Sequence, residues 1–379
     1  MLTALAISGY RSLRDIVVPL ERLNIVTGPN GAGKSNLYRA LRLLANIAHG
    51  DIVRSIAHEG GFDSILWAGP EQFSRAMKAG SEPVHGTLRT KSVALKLGFA
   101  TDDYGYAIDL GFPVPGTSPF KDPHLKAESL WVGQVLSPRN EIASRKGPGV
   151  RIRGEKGMWE QALTDLSMFD SMMTHAADPR RAVELLRLRD HMRGWRFYDH
   201  FRTDRDAPCR HRQIGTYTPV LASDGSDLAA AFITLQAIGP VEAFDATIED
   251  AFPGARVETD YDGMAMRQAG LLRPLSLAEL SDGTLRYLLL ATALLSPRPP
   301  AFLVLNEPEM SLHPDLLPAL ARLIAKASER SQIIVVSHSD RLVSSIETAA
   351  QTNRIALEKQ LSETRIVDGE RPPWNWPSR

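Results

Sequence analysis

The stretch Gly28-Pro29-Asn30-Gly31-Ala32-Gly33-Lys34-Ser35 fits the spacing G-x-x-x-x-G-K-[ST]. Glycines without a Cβ let successive backbone N–H groups turn inward around a phosphate, and a helix that follows aims its positive end at the same anion. In that pattern Lys34 reaches the β- and γ-phosphates and the Ser35 hydroxyl binds Mg²⁺. Asn30, Gly31, Ala32, Gly33, Lys34, Ser35 and Asn36 are therefore the candidate ATP-binding residues. A second run, Phe302-Leu303-Val304-Leu305-Asn306-Glu307-Pro308-Glu309, carries four apolar residues into an acidic end. That is a buried strand delivering carboxylates to the edge where ligands bind in open α/β sheets, with Glu307 placed to polarise an attacking water. Two weaker signals follow the same logic. In Leu280-Ser281-Asp282-Gly283-Thr284-Leu285-Arg286, Ser281 or Asp282 caps a helix whose N-terminus is a second anion site. Ser337-His338-Ser339 stands at the end of another apolar run.

The elements that must position these residues are legible from periodicity. Leu23–Thr27 is a compact apolar run before the glycines, and from Lys34 the period changes to helical through about residue 48. From 275 onward helices at about 283–295 and 314–328 alternate with strands at 301–305 and 332–336, and a strand pair near 354–358 and 363–367 closes the pattern. Short strands at 2–8 and 16–20 open the chain. Between the two ends, residues 86–112 alternate as an antiparallel hairpin, 130–136 and 150–153 extend the strand-rich part, and the basic stretch 139–156 reads as a loop. Residues 158–194 read as helical, with Leu163, Leu166, Phe169, Met172 and Met173 on one face, and 227–237 and 241–250 as two further helices. The expected organisation is a discontinuous α/β core of residues 1–50 and 275–379, a strand-rich insertion over 51–157 and a helical lobe over 158–274.

Composition narrows the function. The 379 residues amount to about two to three domain-sized units. Lys+Arg and Asp+Glu are both 44, which excludes a bulk-basic nucleic-acid coat or polybasic membrane binder. The lone cysteine, Cys209, excludes an intramolecular disulfide framework and suits a reducing cytoplasm. The longest apolar run, 287–305, is cut by Ser296-Pro297-Arg298-Pro299-Pro300, so no membrane span and a cytoplasmic protein are expected.

In chain order these motifs resemble the ATP-binding-cassette superclass of P-loop ATPases: Walker A at 28–35, signature at 280–286, Walker B at 302–307, D-loop at 311–315 and switch His338. The opening Ile7-Ser8-Gly9-Tyr10-Arg11-Ser12-Leu13 is similar to the start of RecF and SMC-type ATPases. Glu307-Pro308-Glu309 with Leu312-His313-Pro314 resembles OLD-type relatives, although the stretch after His338 is too short for their TOPRIM nuclease. The match is with stand-alone predicted bacterial ATPases. The resemblance implies a P-loop NTPase fold with an ABC/SMC-head-like sheet, into which an antiparallel β and helical region is inserted. It implies ATP and Mg²⁺ as cofactors and a head-to-tail homodimer on ATP binding. Ser281, Asp282 and Gly283 of one subunit would then face the γ-phosphate held by the other. Glu307 is implied as general base, with Lys34 and His338 contacting phosphate and Arg11 approaching the nucleotide. Ser35 and Asn306 are the implied Mg²⁺-shell residues.

This sequence departs from the pattern twice. Asn306 stands where the resemblance places an aspartate, which predicts weaker Mg²⁺ retention and slow turnover, and His313 stands where many cassettes carry a D-loop aspartate. No Q-loop glutamine is assigned; Gln134 is one option. In the middle, residues 187–212 hold eight arginines against four aspartates with Trp195, Phe197, Tyr198 and Phe201 interleaved. Those aromatics read as a packed anchor before they read as a base-stacking platform. Three function classes remain: an ATPase acting on DNA or a partner protein in repair or anti-phage defence, a nucleotide-gated switch with negligible turnover, and a transporter motor subunit.

Overall fold

The structure is a computed structural model that describes residues 1–86, 92–116, 118–154, 156–259 and 263–379; residues 87–91 of the expected 86–112 hairpin lie outside them. In chain order the strands are β1 (Leu2–Tyr10), β2 (Leu13–Pro19), β3 (Leu23–Thr27), β4 (Leu95–Thr101), β5 (Tyr104–Gly111), β6 (His124–Val132), β7 (Glu141–Lys146), β8 (Gly149–Arg153) and β9 (Trp159–Leu163). After them come β10 (Arg196–Tyr198), β11 (Arg256–Glu258), β12 (Ala265–Arg267), β13 (Leu275–Ser276), β14 (Phe302–Asn306), β15 (Gln332–Val336), β16 (Asn353–Gln360) and β17 (Glu363–Ile366). The chain divides into two compact units. One comprises residues 1–21, 28–194 and 355–379; the other comprises 22–27 and 195–354.

In the first unit, alternating apolar residues build an antiparallel sheet in the order β2-β1-β4-β5-β6-β7-β8-β9. Its interior takes large rings, Tyr106 and Trp131, with no exposure. The expected loop at 139–156 is instead mostly the hairpin β7–β8, and residues 159–163 form its edge strand rather than the start of a helix. The reason is a charge that the sheet buries. Ala143, Ser144 and Arg145 are all inside, so the basic stretch that reads as a loop includes one core member. Arg145 pairs with Glu128 at 3.0 Å, both side chains fully buried, and its remaining N–H groups donate to the carbonyls of Gly147, Ser167 and Asp170. Glu128 in turn accepts from the Tyr106 hydroxyl, the Ser171 hydroxyl and the Met172 N–H. Leu163 pairs with Val150 in the sheet, and helix in this stretch is confined to Met172–His175 and Val183–Arg193.

In the second unit, β10, β14, β15 and β3 lie side by side in that order and all parallel. Every residue of β3 and β15 is buried, which is what near-continuous Val/Ile/Leu runs signify in a sheet covered on both faces. The helices Leu228–Ile238, Val241–Ala251, Asp282–Leu294, Leu317–Ser328 and Asp340–Ala349 pack in one core with it. Leu285 to Leu294 are all buried, so Asp282–Leu294 is a central helix. The short strands β11, β12 and β13 form a small antiparallel sheet. Residues 195–274, expected in a helical lobe, belong to this unit because β10 pairs with β14. Among the described residues no helix is long and apolar enough to cross a membrane.

Glu128→Ala leaves the Arg145 guanidinium buried without its counter-charge. It should lower unfolding stability by about 3–5 kcal/mol, read as a shifted urea midpoint.

Candidate functional site

The buried strand β3 runs straight into residues 28–33, and the helix Lys34–Ile47 starts immediately after. Gly28 and Gly33 are required by both conformation and space. Their φ angles are 146° and 111°, and an added Cβ would lie 2.3 Å from the Leu357 carbonyl oxygen and 2.2 Å from Thr364 Oγ1 respectively. Thr364 lies on β17, the outer strand of the β16–β17 hairpin, and its hydroxyl donates to the Ala32 carbonyl at 2.8 Å. Ser12 Oγ lies 2.7 Å from Thr364 Oγ1 and accepts from Asn36 Nδ2 at 2.8 Å. Asn36 therefore braces the loop from behind. Lys34 is buried, and its ammonium donates to the carbonyls of Gly28 at 2.6 Å and Pro29 at 3.3 Å, inside the loop's own curve. Asn30, Gly31 and Ser35 are exposed. The helix has no side-chain N-cap and no acidic residue in its first turn, so its leading N–H groups face no competing carboxylate. Arg11 has φ 44° and pairs with Glu59 at 3.0 Å, and Glu59 also accepts from the Tyr10 hydroxyl.

In the second unit, register brings the other residues to one edge. Tyr198 is opposite Leu305, Asn306 opposite Val336, and Val336 opposite Val26. Asp199, Asn306–Glu307, Ser337–His338 and the start of the glycine loop therefore all leave the carboxyl ends of neighbouring parallel strands. Glu307 adopts φ 48°, unusual for a side chain of its size, and its N–H donates to the Val336 carbonyl at 2.8 Å. Glu309 is buried; its Oε1 accepts from Ser337 Oγ at 2.6 Å and from the His338 N–H at 3.1 Å. His338 Nδ1 lies 3.5 Å from Glu309 Oε1 and 3.8 Å from Glu307 Oε1. Arg286, also buried, donates to the Glu307 carbonyl at 3.2 Å. Burial pushes the Arg286 guanidinium below its ordinary range, while Glu309, Asp199 and Glu307 pull it back up. Asn306 Nδ2 donates to Asp199 Oδ1 at 2.7 Å, and Asn306 Oδ1 is buried without a partner among the described residues.

Ser281 caps the central helix, its Oγ accepting from the Thr284 N–H at 3.2 Å. Asp282 pairs with Arg210 at 2.8 Å, and Arg210 also donates to the carbonyls of Leu277 and Leu280. Ser281, Gly283, Ser311, Leu312 and His313 line one open groove, with His313 capping the turn Pro314–Leu316. The signature and D-loop residues thus share a face. Gln134 follows β6 in the antiparallel sheet of the first unit. Trp195, Phe197, Tyr198 and Phe201 are buried, so they anchor this stretch and offer no stacking platform.

Three members of the edge went unassigned in the sequence. Arg286 and Glu309 sit inside the motifs yet carried no role there, because nothing in a motif says which of its polar residues is buried. Asp199 counted only as one charge in an arginine-rich stretch; the tripeptide strand before it is too short for a periodic signal.

Gly33→Ala should keep the fold by circular dichroism yet weaken binding of a fluorescent ATP analogue about tenfold or more. A non-glycine residue forced into this region costs on the order of 1–3 kcal/mol.

Over residues 23–344 the chain matches the family described as "AAA domain, putative AbiEii toxin, Type IV TA system". No protein of curated function matches it. Among solved structures it is similar to an SMC head bound to the C-terminal winged-helix domain of ScpA, at 15% identity and a TM-score of 0.50, covering 97% of both chains. It is also similar to the SMC head domain from Thermotoga maritima, at 18% identity and a TM-score of 0.43, covering 97% of this chain and 99% of that one. A third similar structure is the Smc head domain with an extended coiled coil from Pyrococcus furiosus, at 14% identity and a TM-score of 0.48, covering 97% and 95%. The first of these likenesses carries the fold, that of an SMC head. With most of its length inside the family match, the chain belongs to this AAA-domain family, and it carries the fold of an SMC head.

Proposed function

We propose that the protein binds and hydrolyses ATP in a head-to-tail dimer that closes on ATP and reopens after hydrolysis, and that this cycle acts on DNA or on a partner protein. The observation that carries the reading is the common carboxyl edge of β3, β14 and β15, from which the glycine loop, Glu307 and His338 all depart. The neighbouring SMC head is bound to a domain of ScpA, which supports a protein partner. The family's description names a toxin of a type IV TA system, which supports defence over repair.

Mg²⁺ suits Asn306, which offers a buried oxygen with no partner among the described residues, and Ser35 is the other shell residue that the resemblance implies. Those two residues would hold it, and bound there with ATP it would neutralise charge on the β- and γ-phosphates. The protein's own groups do the rest. The glycine loop's N–H groups and Lys34 take the phosphates, the lysine exchanging carbonyl partners for phosphate oxygens. Glu307 accepts a proton as water attacks the γ-phosphorus and the bond to the β–γ bridging oxygen breaks, releasing ADP. Glu309 holds the backbone N–H of His338, whose ring, beside Glu307 and Glu309, would contact the γ-phosphate. Ser281 and Gly283 on the open groove face the ATP of a second copy, so the site is completed only in the dimer.

A second reading, a nucleotide-gated switch with negligible turnover, is favoured by one observation: Asn306 supplies no charge where the resemblance implies a carboxylate.

ATP hydrolysis and dimerisation, each measured with and without duplex and single-stranded DNA, test the proposal. Lys34→Ala should lose ATP binding. Glu307→Gln should bind ATP normally, turn over at least about a hundredfold more slowly and accumulate as a dimer by light scattering. Ser281→Arg should bind ATP as a monomer and fail to dimerise. An ATP-loaded Glu307→Gln protein that stays monomeric rejects the sandwich, and absent turnover in the natural protein at saturating Mg²⁺ leaves the switch.

A further inference from the structure

Asn306 raises a question of charge. At the end of β14 the resemblance calls for a carboxylate, and an amide oxygen accepts hydrogen bonds without charge; bonds to ionised groups are roughly twice as strong. A hard divalent cation prefers anionic oxygen ligands and ordered water held by them. On those grounds alone the protein would hold Mg²⁺ poorly.

The adjacent strand changes this. β10 pairs in parallel with β14, and Tyr198 opposite Leu305 places Asp199 beside Asn306 at the same edge. The two side chains meet: Asn306 Nδ2 donates to Asp199 Oδ1 at 2.7 Å. The bond does two things. It commits the amide's nitrogen to Asp199, which leaves Asn306 Oδ1 turned away, buried and without a partner among the described residues. An ionised aspartate only accepts, so the pair has one polarity, carboxylate to amide N–H, and the free end of the amide is its oxygen. It also sets a full negative charge one side chain away from that oxygen. The second oxygen of Asp199 takes no hydrogen bond or ion pair among the described residues. A buried acceptor with nothing to accept from, beside a carboxylate that also faces Arg286, suits the hydration shell of a cation.

We infer that Asp199 on β10 supplies the negative charge that Asn306 lacks on β14, orienting the amide oxygen and contributing its own carboxylate to the hydration shell of Mg²⁺ bound with ATP. The aspartate has moved one strand sideways along the edge. This rests on the ATP-binding reading above and adds a residue that no motif contains. Asp199 acts here as a positioning and charge-supplying residue; its predicted effect is on metal retention before it is on chemistry.

Asp199→Asn is the informative change, because the new amide oxygen can still accept from Asn306 Nδ2; the hydrogen bond stays and only the charge goes. The full-length protein, loaded with ATP, is titrated with Mn²⁺, and free Mn²⁺ is followed by electron paramagnetic resonance. Asp199→Asn should weaken Mn²⁺ binding about tenfold or more, the usual scale for losing an outer-shell partner. ATP affinity in EDTA and the melting temperature of the nucleotide-free protein should stay unchanged. Adding Asn306→Asp to Asp199→Asn swaps the two groups across the strands and should recover most of the lost Mn²⁺ affinity. Coincident Mn²⁺ curves for the natural protein and Asp199→Asn overturn the inference. So does a double variant no tighter than Asp199→Asn, and so does an equal loss of ATP affinity in EDTA, which marks a purely structural pair. If the natural protein binds no ATP with or without Mn²⁺, the ATP-binding reading falls and takes the inference with it.

Discussion

Parallel pairing of β3, β15 and β14 is the constraint on which the rest depends. Parallel strands end at one edge, so a residue just past each strand is delivered to the same place without any side chain having to reach. Gly28, Glu307 and Ser337 each follow directly on a strand end. Register then carries chemical meaning. Side chains alternate with a period of two, so a slip of one residue in β14 would turn each of its side chains to the other face of the sheet and carry Asn306 away from its place opposite Val336.

The edge is polar and partly buried, and it is held by charges that answer one another. Arg286 comes from the central helix and binds the backbone of Glu307, tying the helix that begins at Ser281 to the strand end that carries the carboxylate. A guanidinium taken out of water is costly unless opposed, and the charges of Glu309, Asp199 and Glu307 offset part of that cost. Glu309 in turn fixes Ser337 and the backbone of His338. On the outer side Arg210 grips the loop before the helix by its carbonyls and by Asp282. The signature segment and the strand end are thus linked by an unbroken series of polar contacts within one unit.

Much of this was legible from residue order. The glycine loop, its strand and its helix, the α/β alternation after 275 and the helices at 228–238 and 241–251 follow from spacing and period, because each is encoded within its own window. What failed to show was nonlocal. The hairpin β7–β8 looked like a basic loop because Arg145 is tolerable inside only through Glu128, a partner in another strand. Leu163, Leu166 and Phe169 recur at helical spacing, yet Leu163 is held in a sheet edge and Phe169 stacks edge-on against His124. Arg11 pairs with Glu59, and no local rule announces that partner. Asp199 gains meaning only from the strand next to it.

The hydroxyl that supports the Ala32 carbonyl belongs to Thr364, on the far side of nearly the whole chain. Ribosomes add about 5–20 residues per second, so the loop emerges on the order of tens of seconds before the group that braces it. The strands flanking β3 are made equally late. Until Thr364 and the strands beside β3 have been made, the glycine segment lacks the contacts that hold its shape in the finished chain, so a chain cut short before them would carry the motif without its frame.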